Sequence, residues 1–226
     1  MTVDYALARE ALVRSLRRGI RDERVLKAFG SVPREHFVPE HLRRYAYDDR
    51  AVPIGRDQTI SQPLMVAIMT QALKLKGDEK VLEVGTGSGY QAALLSKLAR
   101  EVVSVERLPD LAQAASRRLE EVGASNVRVH ESGETLGRPE NAPFDAIIVT
   151  AGAPRVPRSL LDQLALGGRL VVPVGDRRVQ QLVRATKSDR GVSLEQLGEC
   201  RFVPLIAERE GWPEREGSAN GMQPAV

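Results

Sequence analysis

The sequence predicts an α/β fold: a mostly parallel β-sheet with helices on both faces, preceded by an N-terminal helical extension. Three observations carry this. From Lys80 onward, short β-branched runs alternate with helical stretches. Those runs are near-continuously apolar, as strands covered on both faces must be. Before Lys80, apolar residues recur at helical spacing and no such alternation is seen.

The elements follow in order. Leu7, Ala11, Leu12 and Leu16 set a helix over residues 4–16, which Gly19 ends. Residues 22–29 read as a second, short helix stopped by Gly30 and Pro33. The stretch 33–61 contains Pro33, Pro39, Pro53 and Gly55 and reads as turns and short helices. Residues 62–75 form a helix whose Met65 and Met69 are core filler. Strands are expected at 80–84, 102–106, 127–130, 146–150 and 170–174, with helices at 91–99, 109–122 and 156–164. Two further β-like runs lie at 181–186 and 202–206. The organisation is therefore a helical part over 1–76, a core over 77–212, and a polar tail over 213–226 expected to be disordered.

Composition narrows the functional class. A chain of 226 residues suits one large domain with an extension. The net charge is only +3, its basic residues are interspersed with acids, and aromatics make up 4%. A nucleic-acid surface needs clustered cations and often stacking rings, so no nucleic-acid partner is expected. Cys200 is the single cysteine; it excludes an intrachain disulfide and reads as a buried thiol. No secretory h-region and no run of ~18 apolar residues is present, so a cytoplasmic protein without a membrane span is expected, working as a monomer. His36, His41 and His130 lack ligand spacing, and no metal site is expected.

The chemistry begins at Val81-Leu82-Glu83-Val84-Gly85-Thr86-Gly87-Ser88-Gly89. The first core strand runs into a glycine loop and then a helix, where a ligand can approach unpaired backbone N–H groups. The next strand ends in Glu106, where a carboxylate can take both hydroxyls of a ribose. A dinucleotide fingerprint is GxGxxG, spaced for a pyrophosphate. Here the spacing is GxGxG, and Glu83 precedes it inside the strand. A carboxylate there suits a cationic ligand without phosphate, so S-adenosylmethionine fits and NAD fits poorly. A glycine turn with no ligand is the plain alternative, and the context on both sides argues against it.

The acceptor is not legible from that loop. Upstream stands Val52-Pro53-Ile54-Gly55-Arg56-Asp57-Gln58-Thr59-Ile60-Ser61-Gln62-Pro63, which closely resembles the signature loop of the protein-L-isoaspartate O-methyltransferases. Val32-Pro33-Arg34-Glu35-His36-Phe37-Val38, Pro143-Phe144-Asp145-Ala146-Ile147-Ile148-Val149-Thr150 and Arg201-Phe202-Val203-Pro204-Leu205 agree with that family too. The match runs in order from about Val25 to Trp212.

The resemblance implies a Rossmann-like S-adenosylmethionine-dependent methyltransferase fold. It also implies repair of damaged proteins by methylating the free carboxylate of isoaspartyl residues. By resemblance, Ser61 is the catalytic residue. Ile60, Glu83, Gly85, Thr86, Gly87, Ser88, Gly89, Glu106 and Ser132 line the cofactor, while Thr59 and Val203 lie beside the substrate. Two positions depart from the family. Ser132 stands where an Asp usually faces the adenine amino group, implying weaker cofactor binding, and Leu64 replaces a common His.

Ser61 also has a bland reading. It precedes Pro63 and an apolar-periodic helix, the usual place of an N-cap. Two rival functions remain at this point. An RNA or small-molecule methyltransferase on the same scaffold needs an aromatic clamp after the fourth core strand, where this chain has Thr150-Ala151-Gly152-Ala153-Pro154. A non-catalytic nucleoside-binding module needs no Ser61 at all.

Overall fold

The computed structural model describes residues 3–214. The expected tail begins at its edge, and residues 215–226 lie outside the described part. Helix α1 (Tyr5–Leu16) starts at Asp4, whose carboxylate accepts the amides of Ala6 and Leu7. Helix α2 (Glu23–Ser31) is capped in the same way by Asp22. Two 3₁₀ turns follow, Arg34–Phe37 and Glu40–Tyr45. The stretch read as turns then holds more order than expected. Strands β1 (Val52–Gly55) and β2 (Gln58–Ile60) form an antiparallel hairpin. Its turn residues Arg56 and Asp57 both take positive φ, the conformation of the tight turn that matches strand twist. Helix α3 (Pro63–Ala72) completes the N-terminal part.

The core alternates as expected: β3 (Lys80–Val84), α4 (Tyr90–Ser96), β4 (Glu101–Glu106), α5 (Pro109–Glu121), β5 (Val127–Glu131), β6 (Phe144–Val149), α6 (Arg158–Asp162), β7 (Leu164–Gly175), β8 (Gln180–Ser188) and β9 (Gly191–Cys200). These strands make one seven-stranded sheet in the order β5-β4-β3-β6-β7-β8-β9. The first five of that order run parallel; β8 pairs antiparallel with β7, and β9 antiparallel with β8.

The two-residue period of the strands divides the core. Val81, Val102, Ala146 and Ile148 face α1–α4, while Leu82, Val103, Ile147 and Val149 face Leu160 of α6 and Leu205. Three expectations change. The helix expected at 156–164 is only one turn longer than a bend, because the chain extends from Leu164 onward. The run 202–206 is not a strand: Pro204 makes a single bridge to Gly152 and Ile206 another to Trp212. Strand β9 gave no clear signal, because it is an edge strand whose residues are nearly all exposed and whose apolar residues are interrupted by polar ones and glycine.

Candidate active site

Strand order reverses between β3 and β6, since β4 and β5 lie to one side and β7 to the other. A crevice opens beyond the carboxyl ends of strands at such a point. Here it is a cleft of about 1160 Å³, large for a small-molecule site and large enough for a nucleoside and a peptide side chain together. The glycine loop and Glu106 line one end; Thr59, Ser61 and the 202–210 segment line the other.

At the first end the backbone dictates the shape. Gly85 has φ +100°, and a Cβ on it would collide with the Thr150 hydroxyl. That hydroxyl donates to the Gly85 carbonyl at 2.6 Å, locking the end of β3 against the end of β6. Gly89 caps α4 in the left-handed region, and its bare Cα lets Ala115 of α5 pack close. The Glu106 carboxylate accepts the Gly87 amide at 2.8 Å and the Leu108 amide at 3.0 Å. Each oxygen keeps a lone pair for a ligand hydroxyl.

Glu83 takes a different position from the one expected. It is fully buried beneath the loop, outside the cleft wall. It pairs across the sheet with Ser104, whose hydroxyl donates to it and lies 2.6 Å from the Thr86 hydroxyl. Burial pushes its carboxyl up to about 8, against the lowering effect of the Ser104 hydrogen bond. A group that is mostly neutral at pH 7 offers no charge to a cation. Glu83 therefore braces the loop through the Ser104–Thr86 hydroxyls.

At the other end, side chains clamp irregular backbone. The N-cap reading of Ser61 does not hold: the cap position of α3 is Gln62, without a side-chain cap bond. The Leu64 backbone amide is taken instead by Asp49 at 3.0 Å, and the same carboxylate accepts the Gln62 side-chain Nε2 at 2.9 Å. The Ser61 hydroxyl is left without a partner among the described residues. Arg34, wholly buried, donates to the Ser61 carbonyl from behind. On the facing wall, Gly152 exchanges hydrogen bonds with Val203 and Leu205, and Gln180 accepts the Phe202 amide at 2.8 Å. Glu210 accepts the amides of Arg158 and Ser159, tying the end of that segment to α6.

Thr59, Ile60, Ser61, Gly85, Thr86, Gly87, Ser88, Glu106, Ser132 and Val203 thus line one cleft. Gly89 and Glu83 stand behind it. The sequence reading missed Arg34, Asp49, Thr150 and Gln180, whose contacts join positions 12 to 66 residues apart. Arg34 was at least visible inside the quoted Val32–Val38 motif, but nothing in the sequence says that a guanidinium there is buried. Cys200 is buried as expected, and burial pushes its thiol up to about 11. Among the described residues, no group of three or more His, Cys, Asp or Glu side chains could hold a metal, and no helix is long and apolar enough to cross a membrane.

Residues 7–210 match the family model for protein-L-isoaspartate(D-aspartate) O-methyltransferase. The chain is 52% identical to protein-L-isoaspartate O-methyltransferase 1 of Syntrophobacter fumaroxidans, covering 93% of this chain and 99% of that one. It is 55% identical to protein-L-isoaspartate O-methyltransferase 2 of Marinobacter nauticus over 93% and 97% of the two. Among solved structures, a protein-L-isoaspartate O-methyltransferase superposes with a TM-score of 0.77 at 34% identity, over 86% of this chain and 65% of that one. A Plasmodium falciparum protein assigned to the same activity, in complex with S-adenosyl-L-homocysteine, gives 0.76 at 26% identity, over 89% and 98%.

Proposed function

The chain belongs to the protein-L-isoaspartate(D-aspartate) O-methyltransferase family, and we propose that its cleft acts by aiming an already ionised carboxylate and not by activating it. The reaction is methyl transfer from S-adenosylmethionine to the free carboxylate of L-isoaspartyl residues in damaged proteins and peptides. The ester is a better leaving group than the carboxylate. It lets the backbone nitrogen close a succinimide, which reopens in part to normal aspartate.

Glu106, the amides of the glycine loop and the Ser132 hydroxyl would hold the nucleoside, with Ile60 against it. When bound there, S-adenosylmethionine supplies a methyl group on a positively charged sulfur. An isoaspartyl carboxyl ionises with a pKa of about 4 and is a ready nucleophile at neutral pH, so no general base is needed. What the protein must supply is orientation, which contributes about 7–11 kcal/mol at best. The free Ser61 hydroxyl is the single observation that carries this reading: Ser61 lines the cleft, and its side chain is uncommitted to any cap. It would donate to one carboxylate oxygen and leave the other aimed along the methyl axis. Thr59 and Val203 would flank the peptide, whose backbone can pair with the 202–205 segment.

The test is a labelled-methyl transfer to paired peptides that differ only in isoaspartate against aspartate. Base-labile label should appear on the isoaspartyl peptide alone, and equal labelling of both would overturn the specificity. We also propose a monomer working in the cytoplasm. A buried, unpaired Cys200 supports the compartment, and exposed apolar side chains scattered singly, such as Leu7 and Leu166, support the monomer. Light scattering at micromolar concentration should give a single-chain mass.

A further inference from the structure

Arg34 is the largest side chain wholly removed from solvent. Its guanidinium bridges two loops: Nε donates to the Ala46 carbonyl and Nη2 to the Ser61 carbonyl, both at 2.7 Å. Its plane sits 4.7 Å from the centre of the Tyr90 ring, at the first turn of α4 directly after the glycine loop. It makes no ion pair among the described residues: Asp49 acts on it only through its charge, and Glu35 is engaged elsewhere. That carboxylate is committed to Arg9 and the Tyr47 hydroxyl. Nη1 has no partner at all among the described residues. A buried cation with a free donor and no paired anion is costly, and most proteins would replace it with a hydrophobic residue. Its two-point bridge is a reason to keep it.

The bridge ends on Ser61, whose hydroxyl has no partner among the described residues. Arg34 holds the Ser61 carbonyl, and Asp49 holds the Gln62 side chain and the Leu64 backbone amide, so the turn from Ser61 to Leu64 is tied at both ends. Ser61 lines the cleft, and its side chain is then free only to turn about its own bonds. We propose that Arg34 is a positioning residue for Ser61: it fixes the Ser61 carbonyl so that the hydroxyl meets the acceptor carboxylate in line with the methyl group. The inference rests on the reading of Ser61 given above. It assigns Arg34 no contact with substrate or cofactor.

A double-mutant cycle separates this role from plain structural support. Turnover at saturating isoaspartyl peptide is measured for the parent, R34M, S61A and R34M/S61A, with cofactor affinity by calorimetry on each. R34M should lower kcat by about 10- to 100-fold, the cost of a misplaced group. In the S61A background the same change should cost under about 3-fold, since there is no hydroxyl left to aim. Cofactor affinity should stay within about 2-fold throughout, because the loop amides and Glu106 are untouched. If R34M does not fold, the cycle is closed with R34K, which keeps the charge but gathers its donors on one nitrogen in place of the planar fork that spans the two carbonyls. R34K should lose most of the same turnover, and full activity in R34K would overturn the inference in favour of charge alone. An undiminished cost of R34M or R34K in the S61A background would also overturn it, leaving the Ser61 reading intact. Unchanged turnover in S61A alone would remove the Ser61 reading and this inference with it.

Discussion

The two ends of the cleft are built on opposite principles. The end proposed for the cofactor comes mainly from one stretch, residues 80–108, and is shaped by backbone: a strand end, three glycines at positive φ, and a helix start. The acceptor end is assembled from residues 34, 46–49, 59–64, 150–152, 180 and 202–210, and is held by side chains reaching to distant carbonyls and amides. A backbone-made site cannot yield locally without losing its fold. A side-chain clamp can lose one contact and keep the rest. Substitutions at the cofactor end should therefore be costlier to stability, while those at the acceptor end should be costlier to turnover.

The largest effect is expected at Gly85. G85A adds a Cβ where φ is +100° and where the Thr150 hydroxyl already stands. Left-handed strain and overpacking together cost on the order of 3–5 kcal/mol. Urea unfolding should show that loss, and calorimetry should show cofactor binding falling with it. A stable G85A that binds normally would break the claim that backbone shape makes this end.

Next comes Glu83. Its carboxyl titrates near 8 in the folded protein against 4.5 when free. Between those values the native state holds a proton that the unfolded chain has released. Stability therefore falls as pH rises through that window, and the deficit is complete above about pH 8. The full shift corresponds to on the order of 5 kcal/mol as an upper bound. E83Q keeps the shape and removes the titration. It should be more stable than the parent at pH 9 and close to equal at pH 5. A gap independent of pH would show that the buried acid is not the cause.

Asp49 probes the acceptor end. Its carboxylate stands in for the missing cap of α3 and is exposed, so D49A should cost only about 1 kcal/mol of stability. Turnover should fall by about 3- to 10-fold through a looser Ser61 turn, with cofactor affinity unchanged. A loss of cofactor affinity would blur the division between the two ends.

The same division explains what the sequence revealed. The strand–glycine–helix unit and Glu106 were legible because their geometry is local. A GxGxG run after an apolar strand can do little else, and β3 begins and ends where the pattern said. The fold's class followed from five apolar runs for the same reason. Ser61 was ambiguous from spacing alone, because an N-cap and a free active-site hydroxyl occupy the same place before a helix. Only the distant Asp49 decides between them. Arg34 and Gln180 were invisible because burial of a polar side chain is a property of the assembled fold. Glu83 was legible as a position and misread as a contact. The two-residue period that turns Val84 to one face turns Glu83 and Ser104 inward together, beneath the loop.

Ser132 gives the smallest and sharpest comparison. It follows β5 on the rim of the cofactor end, exposed, with its amide donated to the Glu106 carbonyl at 2.8 Å. Its backbone is therefore fixed while its hydroxyl is free. S132D should place a carboxylate where a neutral hydroxyl now stands. A hydrogen bond to a charged acceptor exceeds a neutral one by about 1 kcal/mol, so the cofactor should bind about fivefold tighter. Glu131, Glu134 and Glu106 are close in the chain or across the rim, and their charge opposes the gain. Added salt should screen that repulsion and enlarge the difference between variant and parent. Calorimetry with S-adenosylhomocysteine at two ionic strengths reads both effects. The KM for isoaspartyl peptide should not move. If it moves while cofactor affinity stays constant, Ser132 belongs to the acceptor end, and the boundary between the two halves of the cleft runs on the other side of β5.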